Sequence, residues 1–156
     1  MTAPSRRRLA VLVAASTFEP NSKLRQLRCP TADIARLEEL LRNPEIGRFG
    51  VVTPLDNRPH HECLLIIEQL FANATPDDLV LFYYSGHGLL DTRNSLHFAC
   101  SNTDRRYLAS TSIPWMIVQN ILDRSRARQK ILILDCCNSG TNEGLTFAKG
   151  DVESQA

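Results

Sequence analysis

The chain alternates between short unbroken apolar runs and longer stretches whose apolar residues recur every three or four positions. The runs are residues 8–15 (RLAVLVAA), GVVTPL within 49–55, 79–84 (LVLFYY) and 131–134 (ILIL). They have strand length and are rich in Val, Leu and Ile without polar alternation, as strands buried on both faces are. Between the first two, Ile34, Leu37, Leu40 and Leu41 repeat at helical spacing, with Thr31 as N-cap and Asn43-Pro44 as the stop. Pro59 opens a second helix carrying Leu64, Leu65, Ile67, Leu70 and Phe71. Ser112 and Pro114 open a third, with Trp115, Ile117, Val118 and Ile121 inward and Arg124, Arg126 and Arg128 as an exposed exit. Residues 90–104 read as a hairpin excursion with 96–99 extended. The order β-α-β-α-β-α-β predicts an α/β fold, a mostly parallel sheet with helices on both faces.

In an open α/β sheet, ligands bind beyond the carboxyl ends of the strands. Residues 16–30 follow the first strand, are polar and carry the breakers Pro20 and Pro30, which makes them a candidate substrate-side loop. Ser85-Gly86-His87-Gly88 follows the third strand. Two glycines around one histidine predict a tight loop that leaves the ring mobile and exposed, as a general base requires. The fourth run, in KILILDCCNSG at 130–140, ends in Asp135, Cys136 and Cys137. Cys136 reads as a small core residue. Cys137 stands one step further, before a small polar turn whose backbone N–H groups depress a thiol pKa and hold an oxyanion. His87 and Cys137 thus satisfy the base–nucleophile pattern, and their separation of fifty residues is that of a caspase. The Gly88 and Cys137 amides are the candidate oxyanion hole.

Composition narrows the alternatives. At 156 residues, 43% hydrophobic and 22% charged, the chain fits one domain with a sizeable core. A net charge of +1 with scattered basic residues gives no argument for nucleic acid. No run approaches the ~18 apolar residues of a membrane span. Arg6, Arg7 and Arg8 before residues 9–15 imitate a signal peptide, but the run is short and reads better as the first strand. The five cysteines include no CxxC pair, which argues against a zinc knuckle or a thioredoxin motif. Scattered thiols suit a reducing compartment, here the cytoplasm.

YYSGHG and LDCCNSG, in this order and at this separation, resemble the two signature segments of the metacaspase and bacterial caspase-like branch of the caspase–hemoglobinase superfamily. The resemblance covers roughly residues 8–140, a segment like the large (p20-like) subunit, with 1–7 as a loose N-terminus and 141–156 as a flexible tail or intersubunit linker. It implies a three-layer sandwich and a cysteine endopeptidase with His87 and Cys137 as its dyad. It also implies substrate-binding roles for Asp135, for Asp33 in LRCPTADIARL and for Ser85. Two carboxylates in a narrow pocket suit an Arg or Lys side chain before the scissile bond. Asn138 departs from the His common after the family's nucleophile. Family members continue into a small (p10-like) subunit with two more strands. Such a subunit, or a partner chain, is expected beside the fourth run, which is otherwise an exposed apolar edge. Lys149-Gly150 would be a basic self-cleavage site. Calcium activates many metacaspases, but the carboxylates here lack EF-hand spacing, so no metal site is assigned and no cofactor is expected. The expected partners are a protein or peptide substrate and the small subunit, with no nucleic acid and no membrane. A non-catalytic caspase-like scaffold is the alternative, and a redox sensor built on the vicinal Cys136-Cys137 pair a third reading.

Overall fold

The computed structural model describes residues 6–138, with Cys137 and Asn138 described through their backbone. The tail at 141–156 and the Lys149-Gly150 dipeptide lie outside the described residues. The elements are β1 (Arg8–Ala14), α1 (Pro30–Arg42), β2 (Val51–Asp56), α2 (His60–Ala72), β3 (Leu79–Leu90), β4 (Leu96–Phe98), α3 (Leu108–Thr111), β5 (Ile113–Pro114), α4 (Trp115–Arg124) and β6 (Gln129–Asn138). Short 3-10 turns at Pro20–Ser22 and Arg105–Tyr107 interrupt the connections. Neither these turns nor α3 carries an apolar period that sequence reading detects.

β3 is the hub of the sheet. It pairs in parallel with β1 and β6, and β1 pairs in parallel with β2. Beyond Ser85, β3 also pairs antiparallel with β4, which pairs antiparallel with β5. The expected mostly parallel sheet is therefore a parallel four-stranded body with an antiparallel extension. The extension exists because β3 runs twelve residues, long enough to outreach β1 and take a second partner.

The unbroken apolar runs follow from two-sided burial. Leu9, Val11 and Val13 of β1, with Val80, Phe82 and Tyr84 of β3, pack on Cys63, Ile67 and Phe71 of α2 and on Val118 and Leu122 of α4. The alternate residues Ala10, Leu12, Ala14, Leu81 and Tyr83 pack on Ile34 and Leu41 of α1. Strand side chains alternate in direction, so both sets must be apolar. Each large side chain buried this way contributes about 1.5–3 kcal/mol.

Two local expectations are corrected. Thr31 does not cap α1, because Pro30 already occupies the first helical turn after Cys29. The Thr31 hydroxyl instead donates to Asp56 Oδ1 at 2.8 Å, tying the helix start to the end of β2. In α4, Ile117 is exposed and Leu122 is buried. Val118 and Leu122, one turn apart, are the α4 residues buried in the core cluster.

Arg7, expected in a loose terminus, is held by Asp78. Its backbone N–H and Nε donate to Asp78 Oδ1 at 3.2 and 3.1 Å, and Nη2 donates to Oδ2 at 2.6 Å. The Thr75 N–H adds a fourth bond at 2.7 Å. The Arg7 guanidinium, above all, holds the buried Asp78 carboxyl well below the usual carboxylate range. A carboxyl with a depressed folded pKa stabilises the fold above its unfolded value of about 3.9, and that stabilisation is lost as the pH falls further. Urea unfolding of the wild type should thus weaken between about pH 5 and pH 3 more than unfolding of Asp78→Asn, which has no such carboxylate to titrate. Equal acid sensitivity of the two proteins would refute this account.

Candidate active site

The site lies where β3 and β6 leave the four-stranded body. Here the structure differs from the loop expected of Ser85-Gly86-His87-Gly88. β3 continues as strand through all four residues to Leu90, and no glycine there takes the left-handed conformation of a tight turn. His87 is 4% exposed, so the ring is buried where an exposed one was expected. The glycines serve packing instead of turning. A Cβ on Gly86 would stand 2.4 Å from Tyr84 Oη and 3.1 Å from the Ala15 carbonyl oxygen. One on Gly88 would stand 3.2 Å from Cys136 Sγ. β6 likewise runs on through Asp135, Cys136 and Cys137 to Asn138, where a turn was expected.

Because both strands continue, a ladder sets the register of the expected dyad. Ser85 lies opposite Asp135, Gly86 opposite Cys136, His87 opposite Cys137 and Gly88 opposite Asn138. Gly88 also faces Phe98 of β4. Cys136 is half-buried and packs against the larger core cluster.

The His87 ring is held on two sides. Its Nε2 lies 2.7 Å from the carbonyl oxygen of Arg25. A carbonyl only accepts, so Nε2 carries the proton and donates it, and the basic nitrogen of the neutral ring is Nδ1. The Phe18 ring packs against the imidazole with centroids 5.3 Å apart. Both contacts come from the loop at 16–30, which its own polar bonds shape. The Phe18 N–H donates to Gln26 Oε1 and Gln26 Nε2 donates back to the Phe18 carbonyl, each at 2.8 Å. Asn57 Oδ1 accepts from the backbone N–H groups of Ser16 and Thr17 at 2.8 and 2.9 Å. Under the strand, the Tyr84 hydroxyl lies 2.9 Å from the His87 carbonyl oxygen and 2.8 Å from that of Ala99.

A cavity of about 350 Å³ opens beside this ring. Asp33, Ser85, His87 and Asp135 all line it, together with Arg25 and Arg28. Asp33 comes from the first turn of α1, Ser85 from β3 and Asp135 from β6, so three separate elements meet there. The field of the two carboxylates reaches the neighbouring Tyr83. Burial pushes its phenol pKa up, Asp135 and Asp33 push it further, and a Ser85 hydrogen bond opposes them. Sequence reading missed Phe18, Arg25 and Arg28. Irregular loops carry no period, and Arg25 holds His87 through a backbone carbonyl that any residue supplies.

A second cluster has the composition of a serine triad but not its function. His97 Nδ1 lies 2.9 Å from Ser112 Oγ, and His97 Nε2 lies 3.2 Å from Asp91 Oδ2. Ser112 is 1% exposed and its hydroxyl donates to the Leu108 carbonyl at 2.5 Å. That hydroxyl has neither access to substrate nor a proton directed at the imidazole, so the cluster is a strut between the β3–β4 turn and α3.

The caspase domain model of the peptidase C14 family matches residues 7–155, nearly the whole chain. The chain belongs to the caspase-domain family of cysteine peptidases. The α/β fold, with helices on both faces of the sheet, agrees with that membership. No curated protein matches the chain closely enough to count as a relative. Among the described residues, no helix is long and apolar enough to cross a membrane, and no group of three or more His, Cys, Asp or Glu side chains is placed to hold a metal ion.

Proposed function

We propose that the protein is a caspase-type cysteine endopeptidase that uses His87 and Cys137 and cleaves after Arg or Lys. The observation that carries the reading is the β3–β6 register, which sets His87 opposite Cys137 beside a cavity lined by Asp33 and Asp135. In this reading His87 Nδ1 takes the Cys137 thiol proton, and the thiolate attacks the scissile carbonyl carbon. Backbone N–H groups near Gly88 and Cys137 hold the resulting oxyanion. Collapse of the tetrahedral intermediate breaks the C–N bond, and His87 returns the proton to the leaving amine. Water, deprotonated by the same nitrogen, then hydrolyses the thioester and frees the acid product. The Arg25 carbonyl keeps the proton on Nε2, so Nδ1 faces the reaction in its basic form.

The basic side chain before the scissile bond enters between Asp33 and Asp135, with Ser85 as an additional hydrogen-bonding group. Arg28 on the same wall favours a second reading, in which an acidic residue binds there. Fluorogenic peptides differing only in Arg, Lys or Asp at this position separate the two. The first reading expects cleavage of the Arg and Lys peptides, with Asp135→Asn lowering kcat/KM for Arg by roughly tenfold or more through loss of a charge-assisted bond. Cleavage of the Asp peptide alone would replace it with the second.

The proposal includes a partner for β6. Ile131, Leu132 and Ile133 are each about 40% exposed although they sit mid-strand in an apolar run. Among the described residues β6 pairs with β3 alone. An apolar strand with one unpaired edge is a template for another strand, and a small (p10-like) subunit or a partner chain fits it.

A further inference from the structure

A second cavity adjoins the first and shares Arg25 and His87 with it, but where the first sets two carboxylates against two arginines, the second holds cations only. It measures about 340 Å³ and is lined by Lys23, Leu24, Arg25, His87 and Arg105, with no carboxylate. Lys23 and Arg25 come from the loop at 16–30, and Arg105 from the 3-10 turn after β4. All three cations are exposed, and among the described residues none enters an ion pair. Asp104, next to Arg105 in the chain, is already bound by Arg106 through Nε at 3.0 Å and Nη2 at 2.7 Å. Among the described residues no carboxylate pairs with the three cations of this lining.

General acid–base geometry says which part of a substrate meets this field. The group that protonates a leaving amine must reach that nitrogen, so the leaving segment passes His87. The residue before the scissile bond occupies the cavity of Asp33 and Asp135. The cationic cavity also touches His87, which places it to receive the residues after the scissile bond. We propose that Lys23, Arg25 and Arg105 form a leaving-side subsite that selects substrates with an acidic residue in the first two positions after the scissile bond. The inference rests on the peptidase reading above. It gives the substrate a charge reversal across the cleaved bond, basic before and acidic after.

Quenched fluorescent peptides with Arg before the bond and Glu, Gln or Lys in the two positions after it test this on the full chain. The Glu peptide is expected to exceed Gln in kcat/KM by roughly three- to tenfold, and Lys to fall below Gln, as a few exposed charge contacts allow. Raising the salt from about 0.05 M to about 0.5 M shortens the Debye length and should shrink the Glu/Gln ratio toward one. The Lys23→Gln/Arg105→Gln double variant should shrink it likewise, and Arg105→Glu, which leaves the same net charge on the lining, should shrink it to a similar extent. Comparing peptides within each variant cancels any general loss from the substitution. Equal cleavage of Glu and Gln peptides, or a ratio that neither salt nor these variants move, overturns the subsite while leaving the peptidase reading standing. Cleavage of none of the peptides overturns the peptidase reading and the subsite with it.

Discussion

Cys137→Ala and His87→Ala are each expected to lower kcat/KM for a peptide with Arg before the scissile bond by about a thousandfold or more, as in nucleophile–base pairs generally. Cys137→Ala removes the atom that forms the thioester, so no acyl-enzyme accumulates and a thiol-directed label at this position is lost. His87→Ala leaves the sulfur in place but removes the group that takes its proton and later delivers it to the amine. Groups that act as one unit are not additive, so the double variant should be little worse than either single one. His87 is buried against Phe18, so its replacement also removes packing. Thermal unfolding run alongside separates the two effects, because a folded His87→Ala protein without activity locates the loss in the chemistry. Activity retained in Cys137→Ala would end the peptidase reading.

Gly86→Ala is expected to destabilise the protein by about 2 kcal/mol and to lower activity as well. Its Cβ would lie 2.4 Å from Tyr84 Oη and 2.9 Å from Cζ. A flexible side-chain tip would yield to such a contact. Tyr84 is fully buried and its hydroxyl is engaged beneath the His87 and Ala99 carbonyls. Burial, reinforced by the thiols of Cys100 and Cys136, keeps the phenol protonated and able to donate. Relieving the clash means moving that hydroxyl or the backbone that carries His87. The lower unfolded-state entropy of Ala offsets roughly 0.4–1 kcal/mol of the cost, and the estimate includes that offset. Urea unfolding with activity measured in parallel checks it. Wild-type stability together with wild-type kcat/KM would show that the close contact has no consequence.

Apolar runs and helical spacing made the body of the fold legible in the sequence. β1, β2, the first half of β3, the apolar start of β6 and the three longer helices all bury continuous or periodic apolar residues. What escaped was strand built from non-strand residues. Ser85-Gly86-His87-Gly88 and the end of β6 have the composition of turns, and they are extended because neighbouring strands already fix their register. The carboxylates of the first cavity were legible as candidates through family resemblance, and the structure brings Asp33, Ser85 and Asp135 to one cavity with His87. The cationic cavity was not legible, since Lys23 and Arg105 are more than eighty residues apart and meet only after β4 folds back on β3.

The ladder between β3 and β6 gives the expected dyad a quantised geometry. Its ten paired positions run from Leu79–Gln129 to Gly88–Asn138. A strand cannot slide by a fraction of a pair. The smallest step is one residue, about 3.3 Å, and it turns every side chain to the other face. Such a step would set Cys136 or Asn138 opposite His87 in place of Cys137. Small deformations elsewhere in the domain therefore do not detune the spacing gradually, and the site is either in register or absent. Among the described residues a single neighbour, β3, maintains that setting.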